Sequence, residues 1–198
     1  MSRRPPRRLP VPFTESETRA LLRQACVELD AARTPGKTFC RRRDAVMLAT
    51  GLYAGPRVSE LCKLRVEDVD LDGAVIAIKL GKGKKDRNLP IADELRLLLV
   101  DWGGARKEGW LFPGPRGKKL AERTFRDRLA ALGAKAGIRM RVHPHLMRHS
   151  FATEALRTCG DIRQVQELMG HANIQTTTIY ARVDTSKLKK TVDEMFRD

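Results

Sequence analysis

Leu21, Leu22, Ala25 and Leu29 recur at helical spacing, and Thr14 with Glu17 three residues later forms a capping box that predicts where this helix starts. A second, largely buried helix is predicted over residues 44–54, where Val46, Met47, Leu48 and Leu52 give an apolar face and Gly51 and Gly55 mark a fraying end. Pro56 suits a first helical position, so Arg57 is expected in the first turn of a third helix whose Val58 and Leu61 face inward. The pattern then changes. Residues 74–79 (Ala-Val-Ile-Ala-Ile-Lys) and 87–91 (Arg-Asn-Leu-Pro-Ile) read as two strands, separated by the basic glycine turn Gly81-Lys82-Gly83-Lys84-Lys85-Asp86. Beyond Ala92 the chain reads as helical apart from residues 103–119. The expectation is a mainly α domain with a small antiparallel β-sheet, an α+β fold without internal repeats.

Composition narrows the partner. The chain has 198 residues, 41% of them hydrophobic, enough for one sizeable core. Lys and Arg number 39 against 24 Asp and Glu, a formal charge of +15, which favours a polyanion, nucleic acid first, over a solubility feature, a membrane-adhesive face or a ribosome-binding face. No apolar run has the length of a membrane span or a signal peptide, so the expected location is the cytoplasm. Cys26, Cys40, Cys62 and Cys159 are scattered without a Cys-x-x-Cys pair, which points to reduced thiols rather than a zinc site or a disulfide framework. Residues 1–12 carry Arg3, Arg4, Arg7 and Arg8 among four prolines and are expected to form an extended basic arm, either a solvated tail or a phosphate-tracking segment; the folded domain is expected over residues 13–198. Pro35-Gly36-Lys37-Thr38 ends like a phosphate-binding loop, but Ala31 stands where the first glycine belongs and no strand precedes it, so ATP binding is not expected.

Three separated motifs carry chemistry: Arg57-Val58-Ser59-Glu60-Leu61, His145-Leu146-Met147-Arg148-His149, and Gly170-His171 followed nine residues later by Tyr180. A tyrosine that attacks a phosphodiester must lose its phenolic proton as the new bond forms, and an imidazole can accept it. Charge gathers on the non-bridging oxygens, which guanidinium groups stabilise by paired hydrogen bonds. The departing 5′ oxygen needs a proton, which a lysine on a hairpin tip can deliver.

With Lys82 in the hairpin, the order Arg, Lys, His-x-x-Arg, His, Tyr resembles the catalytic domain of the tyrosine recombinase (phage integrase) family, from about Thr14 to the C-terminus. The resemblance implies that Arg57 and Arg148 clamp the phosphate, that Lys82 is the general acid, that His145 and His171 assist proton transfer and hold the phosphate, and that Tyr180 forms a 3′-phosphotyrosyl bond. Glu60 supports Arg57. It further implies a site-specific recombinase that cleaves and rejoins double-stranded DNA with neither cofactor nor metal. The protein is expected to be monomeric in solution and to assemble as a tetramer on DNA, with an accessory protein as a further candidate partner. Most family members carry an additional N-terminal DNA-clamping domain, which is not expected in these residues; a naturally minimal recombinase, a fragment and a chain that relies on another protein for targeting are the three readings. Pro56, Met147 and Met169 replace the usual aliphatic residues, apolar swaps of small consequence.

Plainer readings stand beside these. Arg57 and Glu60 could form only a helix-surface ion pair, Lys79, Lys84 and Lys85 compete with Lys82, and Tyr180 could be a core aromatic. His145 and His149 have the spacing of a metal pair, but Leu146 stands where a zinc protease has Glu; His149 reads as structural and His143 has no assigned role. A small type IB topoisomerase shares the same chemistry, and a non-catalytic DNA-binding regulator could keep the fold. Arg123, Arg126 and Arg128 are candidate groove or phosphate contacts. Val183, Leu188, Val192, Met195 and Phe196 suggest a short helix that docks either on another protomer or on its own chain.

Overall fold

The capping box at Thr14 forms as the sequence predicts in the computed structural model, which describes residues 11–79, 86–104, 106–170 and 192–195. The backbone N–H of Thr14 donates to the Glu17 carboxylate at 2.8 Å, that of Glu17 donates to Thr14 Oγ1 at 3.2 Å, and helix α1 runs Glu15–Asp30. Helix α2, Pro35–Tyr53, begins well ahead of the expected start at residue 44. Thr34 caps it by accepting from the Lys37 N–H, and Pro35 occupies its first turn, so the segment resembling the end of a phosphate loop is a helix start. Gly51 is not a fraying end. It lies inside α2, where the Met147 side chain occupies the space a Cβ would need.

The chain turns at Gly55, whose φ of +63° and contact with the Phe151 ring leave no place for a side chain. Helix α3, Val58–Leu61, starts later than Pro56 predicts. Arg57 is its N-cap, held extended at ψ 150° because its backbone N–H donates to Glu60 Oε2 at 2.7 Å.

Three antiparallel strands follow in the order β1 (Val69–Asp70), β2 (Val75–Ile78), β3 (Arg87–Pro90). The hairpin strands match expectation, and the two-residue β1 is an addition. Ile76 pairs with Leu89 and Ile78 with Arg87, so the strand alternation that buries Leu89 also turns Arg87 to the inner face. The remaining helices are α4 (Asp93–Gly103), α5 (Glu122–Lys135), α6 (Pro144–Cys159) and α7 (Ile162–Met169).

One core joins Leu21, Met47, Leu48, Leu61, Ile76, Leu89, Leu95, Leu99, Phe125, Leu129 and Met147, each worth roughly 1.5–3 kcal/mol when fully buried. A smaller apolar cluster gathers Ala92, Phe151, Ala155, Val165 and Met169 around Val192, so residues 192–195 pack on their own chain; Asp193 also accepts from the Asp93 N–H at 3.2 Å. Between α1, α2 and α5, buried Glu28 accepts from Arg41, Arg128 and Lys135, while Asp44 accepts from Arg43 and Arg128. Arg128 is therefore an internal strut and not a groove contact. Arg123, by contrast, is 91% exposed. All four cysteines are free thiols, with Cys62 buried and Cys26 and Cys40 exposed. Among the described residues no helix is long and apolar enough to cross a membrane.

Candidate active site

Helix α7 ends in the left-handed Gly170, and three guanidinium groups converge on its last carbonyls. Arg87 Nε donates to the Leu168 carbonyl at 3.1 Å, Arg148 Nη2 donates to that of Met169, and Arg57 Nη2 donates to that of Gly170 at 3.0 Å. A helix C-terminus carries partial negative charge and unpaired carbonyls, which explains why cations settle there. The three arginines come from three different places: the cap of α3, the start of β3 and the second turn of α6.

Glu60 sits among them. Its carboxylate accepts from Arg57 Nη1 at 2.8 Å, from the Arg57 backbone at 2.7 Å, and from Arg87 Nη1 and Nη2 at 3.0 and 2.8 Å. Burial alone would raise the Glu60 carboxyl, but the hydrogen bonds from Arg87 and Arg57 outweigh it and bring the group to about 2. The Arg57–Glu60 pair is thus part of a buried network rather than a surface ion pair. Arg148 Nη1 also donates to the Gly55 carbonyl at 2.6 Å. Burial, with Arg57 and Arg87 nearby, pulls the Arg148 guanidinium down to about 10, which leaves it charged at neutral pH. Three guanidiniums around one carboxylate give this corner an excess of positive charge, and Arg57, whose side chain is 38% exposed, presents it to solvent.

His145 lies exposed in the first turn of α6, one helical turn before Arg148. His143, which has no role assigned from sequence, caps this helix: its Nδ1 accepts from the Leu146 N–H at 3.2 Å. Its burial, and after that His145 and Arg141, lower its pKa, which keeps it neutral and able to accept. His149 is half-buried on the same helix. The structure therefore brings Arg57 and Arg148 together and places His145 on the helix that carries Arg148, whereas Lys82, His171 and Tyr180 lie outside the described residues. Sequence reasoning missed Arg87. Its signal was the period-two alternation with Leu89, which assigns both side chains to one face.

The arrangement suits an anion with oxygens to accept from fixed N–H groups, as a phosphodiester has. Residues 13–187 match the phage integrase family. Tyrosine recombinase XerC of Xanthomonas axonopodis pv. citri (strain 306) is 40% identical over 154 residues, covering 76% of this chain and 50% of that protein. XerC of Xylella fastidiosa (strain M23) is 40% identical over 164 residues, covering 80% of this chain and 55% of its own length. The chain thus spans about half the length of the XerC proteins it matches. Among solved structures, XerA recombinase superposes with a TM-score of 0.71 at 30% identity, covering 100% of this chain and 68% of XerA. XerH bound to its difH substrate gives 0.69 at 26% identity, covering 92% of this chain and 50% of XerH. The chain belongs to the phage integrase family of tyrosine recombinases.

Proposed function

We propose that this chain is the strand-cleaving part of a site-specific DNA recombinase. The observation that carries the reading is the meeting of Arg57 and Arg148 on successive carbonyls at the end of α7, immediately before His171. Family membership and the basic composition support DNA as the substrate. In this reading the Tyr180 oxygen attacks the scissile phosphorus and its proton passes toward His145 or His171. Arg57 and Arg148 stabilise the charge on the non-bridging oxygens, and Lys82 protonates the departing 5′ oxygen. One phosphate ester bond forms as one breaks, so a 5′ hydroxyl from another strand can reverse the step and join it. Four protomers assembled on two DNA sites complete the exchange.

The test starts from a random-sequence duplex pool from which sites that the protein binds and cuts are selected. Two copies of a selected site are then placed on one supercoiled plasmid. Deletion or inversion junctions, absent with Tyr180→Phe, are expected. Relaxation of the plasmid without junctions would favour a type IB topoisomerase, and DNA that is bound yet never cut would favour a regulator.

A further inference from the structure

Arg87 is the one member of the arginine cluster for which neither its motif nor the proposed chemistry has a use. All three of its side-chain nitrogens donate to the protein: Nε to the Leu168 carbonyl, Nη1 and Nη2 to the two oxygens of Glu60. Its side chain is 9% exposed, against 38% for Arg57, so it is Arg57 and not Arg87 that is offered to a ligand. The site is shaped around this guanidinium. A Cβ added at Gly170 would stand 2.9 Å from both Cδ and Nη1 of Arg87, and at φ +59° the backbone there already favours glycine.

Two pieces of the site meet on this side chain. Glu60 orients Arg57 through both its backbone and its guanidinium. The Leu168 carbonyl belongs to the turn from which Gly170 and then His171 follow. Arg87 itself opens β3, which ties both pieces to the sheet. We infer that Arg87 is a positioning residue for strand cleavage, fixing Glu60 and the end of α7 so that Arg57 is held in place beside Arg148. Lysine cannot substitute: an ammonium keeps the charge but lacks the planar fork that reaches both carboxylate oxygens and a carbonyl at once.

The inference rests on the strand-cleavage reading above, and the experiment separates the two. Wild type, Tyr180→Phe, Arg87→Lys, Glu60→Gln and the double variant Glu60→Gln/Arg87→Gln are compared on a nicked duplex carrying a selected site. Affinity is read by fluorescence anisotropy, the single-turnover rate by SDS-resistant adduct, and folding by urea titration. Arg87→Lys is expected to stay folded and bind DNA like wild type while forming adduct about ten- to a hundredfold more slowly. If Arg87 served only to neutralise a buried carboxylate, adding Arg87→Gln to Glu60→Gln would change nothing; a further loss of rate at unchanged affinity is expected instead. Wild-type rates in Arg87→Lys, or parallel losses of affinity and rate, would overturn the inference while leaving strand cleavage standing. No Tyr180-dependent adduct in the wild type would overturn both.

Discussion

His143 and Glu60 show how single residues set the geometry of this site. His143 holds the first turn of α6 through a neutral imidazole nitrogen, and that helix carries both His145 and Arg148. Its folded pKa lies below the ordinary histidine value, so the unfolded chain binds the proton more readily. The stability it contributes is therefore fully present above about pH 6.5 and is lost as the pH falls below that. Replacing His143 by Ser keeps an N-cap without the titration, so the variant should show a flatter stability profile between pH 7 and 5 in urea titrations. His143→Ala should lose about 1 kcal/mol at pH 7. An unchanged pH profile in the serine variant would remove His143 from this role. Glu60 is also depressed, and the sign is the same: its contribution is complete above the ordinary carboxylate range and is lost as the pH falls toward 2.

At the scale of elements, α5 separates two kinds of arginine that look alike in sequence. Arg128 points between α1 and α2 onto Glu28 and Asp44, whereas Arg123 stands in solvent near Asp127. Arg128→Met should destabilise the fold by roughly 1–3 kcal/mol, because two buried carboxylates lose a donor each. Arg123→Ala should leave chemical denaturation unchanged and weaken DNA binding. The reverse pattern would contradict this division of α5. Elements with clear apolar periodicity were legible in the sequence: α1 with its capping box, the hairpin strands, and the helices after Ala92. The first half of α2 was not, because Lys37, Cys40, Arg41 and Arg42 surround exposed Phe39 and give no apolar stripe, even though Thr34 and Pro35 carry a start signal. Arg57 lay one position outside its expected helix because a carboxylate three residues on, rather than proline, sets where α3 begins. Within the site, Arg57, His145 and Arg148 stood out by motif. Arg87 did not, because its meaning depends on Glu60 and Leu168, which are distant in the chain and reach it only in the fold.

For the whole molecule, the proposed function makes the formal charge of +15 the feature expected to dominate encounters with DNA. Each phosphate contact releases condensed counterions, so binding should weaken steeply with salt. A log–log plot of affinity against sodium chloride concentration is expected to fall by on the order of a thousandfold or more between 50 and 200 mM, as for six or more phosphate contacts. A nearly flat plot would exclude a polyanion-binding face of that size. The packing of Val192 with Phe151, Val165 and Met169 ties residues 192–195 to α6, which carries Arg148, and to α7.

The proposed function turns on a covalent bond between Tyr180 and DNA, which can be trapped and mapped. A selected site is synthesised with sulfur in place of the bridging 5′ oxygen at the scissile phosphate, so that rejoining is suppressed. The protein is added at low salt, and the SDS-resistant adduct is digested and sequenced by mass spectrometry. A nucleotide linked through its 3′ phosphate to the peptide containing Tyr180 is expected, lost in Tyr180→Phe and slowed in Arg148→Lys. A nucleotide attached to any other residue, or an adduct that persists in Tyr180→Phe, would contradict the proposed function.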